Sequence, residues 1–124
     1  MHDHGDAMPY MLLIMERPGQ RAERTEAEGR QLFASMQACA DALKARGLLL
    51  AAQSLKGTDN AVRLTVRDGK RSLTDGPFAE AKEMVGGYFL VDCATREAAV
   101  AIAQEIPAAQ WATVEVREFG PCFE

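Results

Sequence analysis

The chain is short of histidine, cysteine and basic charge, and each shortage removes a class of function. Its two histidines, His2 and His4, stand in the first few positions. The rest of the chain therefore lacks the imidazole that usually carries a proton near pH 7. The three cysteines, Cys39, Cys93 and Cys122, are odd in number, widely separated and never form C-x-x-C. That pattern fits a reducing compartment and excludes zinc-ribbon and dithiol motifs. Fourteen Lys and Arg are scattered among 18 Asp and Glu, leaving a net charge of −4. Such a chain has no uniform positive field for phosphate backbones, and no nucleic-acid partner is expected. Unbroken apolar runs such as Met11 to Met15 fall far below the ~18 residues of a membrane span. The head Met-His-Asp-His-Gly-Asp lacks a signal-peptide charge pattern, so a cytoplasmic protein with no membrane association is expected. Dinucleotide, Walker, G-x-S-x-G and H-E-x-x-H motifs are also missing, and neither cofactor nor metal is expected.

What is present suits one ordinary domain of 124 residues, long enough to bury its own core. Residues 1–8 read as a flexible polar head, 9–120 as the single domain and 121–124 as a tail. The apolar run Tyr10 to Glu16, stopped by Arg17-Pro18-Gly19, predicts a buried strand. Thr25 and Glu28 form a capping box for an amphipathic helix carrying Leu32, Phe33, Met36, Cys39, Ala40 and Leu43 and ending at Gly47, with Gly29 weakening its first turn. Leu48 to Ala52 reads as the next strand. In Ala61 to Arg67, Val62, Leu64 and Val66 alternate with Arg63, Thr65 and Arg67, the pattern of a strand with one buried face. Asp68-Gly69 predicts a two-residue hairpin turn into Lys70 to Thr74, before Asp75-Gly76-Pro77 stops the ladder. Gly86-Gly87 introduces the strand Tyr88 to Val91. Thr95 then caps a helix with Ala98, Ala99, Ile102 and Ile106, which Pro107 ends. Thr113 to Glu118 is the last strand. Met11, Met15 and Met36 are expected in the core, with Trp111 as a packing anchor and Cys39 and Cys93 as small buried groups; Cys122 is the exposed thiol.

The order strand, helix, several strands, helix, strand predicts an α+β fold, a split βαβ sandwich with two helices on one face of an antiparallel sheet. Its other face lacks a cover, and the simplest cover is the same sheet from another copy. A homodimer follows, a dimeric α+β barrel whose cleft is lined by both chains.

The chemistry-bearing residues cluster in Asp75-Gly76-Pro77-Phe78-Ala79-Glu80-Ala81-Lys82-Glu83, followed by Gly86-Gly87-Tyr88. Asp75 is the candidate acid/base, or else a carboxylate that caps its turn. Gly76, Pro77, Phe78, Glu80, Lys82 and Tyr88 are candidate ligand-binding residues, and Arg63 on the polar side of its strand is a candidate anion clamp. Gly76 and Pro77 also serve as turn-formers and Phe78 as a core plug, while Glu80, Lys82 and Glu83 also read as a solvated charge cluster. The string D-G-P-F-A-E-x-K-E with a following G-G-Y, preceded by the D-G hairpin and the Y-M-L-L-I strand, resembles the YCII-related proteins, specifically their DGPF branch. The resemblance runs from about Tyr10 to Phe119. It implies a ferredoxin-like α+β fold, homodimerisation and a ligand or active-site cleft near Asp75. Some members of this branch are encoded with alternative sigma factors of the extracytoplasmic-function type. Some YCII relatives carry a His/Asp pair, whereas the only histidines here are His2 and His4 in the head. Two functions stand side by side: a small-molecule site with lyase- or isomerase-like acid/base chemistry, and a non-enzymatic regulatory or protein-interaction module associated with a sigma factor.

Overall fold

The structure, a computed structural model, describes residues 8–124. The expected head, with His2 and His4, falls outside the described residues except for Met8, where the first strand begins. The described elements run β1 (Met8–Glu16), α1 (Glu26–Ala45), β2 (Leu49–Ser54), β3 (Val62–Arg67), β4 (Lys70–Asp75), β5 (Met84–Cys93), α2 (Arg96–Glu105) and β6 (Thr113–Glu118). Four strands form an antiparallel sheet in the order β2-β5-β1-β6. This is the ferredoxin-like α+β arrangement, with β3 and β4 inserted between the second and third sheet-forming strands as a separate hairpin.

Local chemistry fixes the helix starts. The Thr25 side chain accepts from the Glu28 amide at 3.1 Å while the Glu28 carboxylate accepts from the Thr25 amide at 2.8 Å, satisfying two orphan donors at once. Gly29 therefore does not delay α1. Thr95 caps α2 with a single bond, its side chain accepting from the Ala98 amide. Tyr10, Leu12, Ile14, Phe89 and Val91 face the helices and are buried with Ala40, Leu43, Ala99, Ile102 and Ile106. Cys93 belongs to this core, and Cys39, Met36 and Trp111 pack against it. Met11 and Met15 depart from expectation: both are only half-buried, because strand alternation turns them to the opposite, helix-free face.

The hairpin departs further. Both central residues of its turn, Asp68 and Gly69, have positive φ, 52° and 76°, as a tight two-residue connection requires. Yet every residue of β3 and β4 is exposed. The alternation in β3 is real, but nothing among the described residues covers its apolar side.

Candidate functional site

A cleft of about 1110 Å³ runs along α1, between it and strands β1, β2 and β5. It exists because α1 packs unevenly. Its buried residues, Ala40 and Leu43, lie in the C-terminal half, whereas Phe33 is 56% exposed. Ile14, Met36, Ala52 and Phe89 give the cleft an apolar floor, and Glu16, Arg21 and Arg24 give it a charged end.

That end is tied together by one guanidinium. Arg21 donates from Nε to the Glu16 carboxylate at 2.6 Å, from Nη1 to the Leu55 carbonyl at 2.7 Å and from Nη2 to the Gly86 carbonyl at 3.1 Å. Glu16 is 6% exposed, the one buried charged residue among those described. A buried carboxylate is tolerated when a fixed cation and its hydrogen bonds replace water. The glycine pair is part of this construction. A Cβ on Gly86 would collide with the Glu16 carboxylate, and one on Gly87 would come within 2.8 Å of the Gln53 carbonyl oxygen. Arg24, half-buried at the same end, has no ion-pair partner among the described residues.

The residues singled out from the sequence form a second group. Arg63 lies 3.8 Å over the Phe78 ring centroid and 3.6 Å from Glu80. The contact joins cation–π attraction to an exposed ion pair. Phe78 is buried, but outside the main core cluster. The Gly76 amide donates to the Ala61 carbonyl at 2.7 Å, and a Cβ there would strike the Thr58 carbonyl oxygen, so close backbone approach demands glycine. The Gly76–Pro77 peptide is cis. Asp75, at the end of β4 opposite Val62, is exposed and is not among the cleft residues; Lys82 is also exposed. Tyr88 alone of these candidates borders the cleft, with strand alternation aiming its ring at the other sheet face.

Sequence reasoning passed over Glu16 and Arg21. The signal was the alternation Tyr10, Leu12, Ile14, Glu16, which puts a carboxylate on the buried side of β1. Burial, with Glu105 beside Cys39 and Asp92 beside Cys93, holds these two thiols above the ordinary thiol range. Among the described residues there is no cluster of three or more potential metal ligands, and no helix is long and apolar enough to cross a membrane.

A ferredoxin-like α+β domain with a cleft under its first helix and an inserted hairpin is the class these features define. Residues 8–121 match the YCII-related domain, and the chain belongs to that family. A 49-residue stretch is 39% identical to an uncharacterised protein of Rhizobium meliloti (strain 1021), covering 40% of each chain. The match thus spans less than half the length of that curated relative.

Proposed function

We propose that the chain is a cytoplasmic, homodimeric member of the DGPF branch that binds a small apolar molecule bearing an anionic group in the cleft beneath α1. The cleft carries this reading. Its volume is that of a small-molecule site, its floor is apolar, and Arg24 offers a cation without an ion-pair partner among the described residues. The D-G-P-F-A-E-x-K-E string supports Asp75 as an acid/base group of lyase or isomerase type, with Arg63 as anion anchor and Tyr88 as hydrogen-bond donor. For that role a second copy must close over the hairpin, because the Asp75 carboxylate meets solvent in a single chain.

The exposed apolar side of the hairpin favours a second reading, a regulatory or protein-interaction module working with an alternative sigma factor. Native mass spectrometry of gently purified protein separates the two. The first reading predicts a dimer retaining a small molecule that is lost when Ala52→Trp fills the cleft. An empty dimer, unchanged by Ala52→Trp and by Asp75→Asn, contradicts it and favours the module.

A further inference from the structure

The hairpin is an amphipathic ribbon. The facing pairs Val62 with Asp75, Leu64 with Leu73, and Val66 with Arg71 put six side chains on one side. The intervening pairs Arg63 with Thr74, Thr65 with Ser72, and Arg67 with Lys70 make the other side wholly polar. The four apolar residues of the first side are 51–57% exposed. Two bare strands are marginal in water, and a ribbon of this composition is completed by a second apolar surface.

The distribution of charge identifies that surface. Asp75 stands at the base of the ribbon and Arg71 near its tip, on the same β4 strand and the same face. Neither has an ion-pair or side-chain hydrogen-bond partner among the described residues. Four residues of strand separate them by roughly 14 Å. Consider two such ribbons packed face to face about a two-fold axis that runs between them, perpendicular to the strands. The Leu64–Leu73 pairs then meet on the axis, each Val62 meets Val66 of the other copy, and each Asp75 lies over an Arg71. Such self-complementarity is what an isologous interface requires.

We propose that the β3–β4 hairpins of two copies of this chain clasp face to face, with reciprocal Asp75–Arg71 ion pairs flanking an apolar centre. The proposal rests on the homodimer of the preceding reading and supplies its contact. The hairpin holds four basic and two acidic residues, but Arg63, Arg67 and Lys70 stand on its polar side, so the clasping face carries one charge of each sign, Arg71 and Asp75. One ribbon face offers roughly 200 Å² by strand dimensions, well short of the ~800 Å² per partner of a standard interface. The helix-free sheet face, with Met11, Leu13 and Leu90, is the source of the remaining area.

Sedimentation equilibrium of the full chain tests the clasp. Arg71→Asp and Asp75→Arg should each weaken the dimer by about tenfold or more, since each sets like charges opposite one another. The double variant Arg71→Asp/Asp75→Arg should return the dissociation constant to near the wild-type value, because the pairs are rebuilt with their signs exchanged. Both positions are solvent-exposed in the single chain, and unchanged circular dichroism certifies the fold of each variant. A wild-type chain that stays monomeric overturns both the homodimer and the clasp. A dimer indifferent to the single changes, or a double variant no tighter than the singles, overturns the clasp alone.

Discussion

The four-stranded sheet and the β3–β4 hairpin carry the same kind of apolar-polar alternation and end in opposite environments. In β1 the alternate residues Tyr10, Leu12 and Ile14 disappear beneath two helices; in β3 the alternate residues Val62, Leu64 and Val66 remain in solvent. Alternation therefore reports which residues share a face, whereas burial depends on whether another element of the chain reaches that face. The helices reach only one side of the four-stranded sheet, and neither reaches the hairpin.

The sharpest way to break this comparison is a graded series of substitutions followed by chemical denaturation of dilute protein. Leu12→Ala should cost about 3 kcal/mol, because Leu12 is fully buried and its loss leaves a cavity. Arg21→Ala should cost about 2 kcal/mol: it strands the Glu16 carboxylate, but a third of the Arg21 side chain already meets water, which screens the pair. Leu64→Ala should cost less than about 0.5 kcal/mol, as expected of a surface position. A Leu64 effect equal to that of Leu12 would mean that the hairpin is covered within one chain.

A smaller effect should appear with alkali. Burial, followed by the nearby Glu105 carboxylate, raises Cys39, and burial followed by Asp92 raises Cys93. The folded chain then keeps protons that the unfolded chain releases above the ordinary thiol value of about 8.5, so stability is full below that pH and falls as pH rises beyond it. Melting temperature plotted against pH should decline on that limb, and Cys39→Ala/Cys93→Ala should flatten the slope even if it lowers the curve. An equal slope in the variant would remove the thiols from the account.

Much of the fold was legible because its signals are local. Thr25 with Glu28, Thr95, Pro107 and Asp68-Gly69 each act within a few residues, and the elements they bound stand close to where the sequence places them. The start of β5 was less legible. Gly86 and Gly87 read as strand-introducing breakers, yet both lie inside Met84–Cys93, as the approach of Glu16 and Gln53 permits. The cleft's charged end was hidden for a related reason. Arg21 sits in a connection, and its three partners come from β1, from the residue after β2 and from β5, a meeting that no spacing encodes. The D-G-P-F string did mark a built structure, with Gly76 close against Thr58 and Ala61 and with Phe78 beneath Arg63, which also meets Glu80. Its Asp75 faces outward with Val62 because strand pairing sets that direction.

Amide hydrogen exchange followed over a dilution series tests most directly the claim that the sheet is complete within one chain and the hairpin is completed by another. The account predicts that protection across residues 62–75 rises with protein concentration while protection in the Leu12–Ile14 and Phe89–Val91 segments stays constant. Hairpin protection that is the same at every concentration would contradict it.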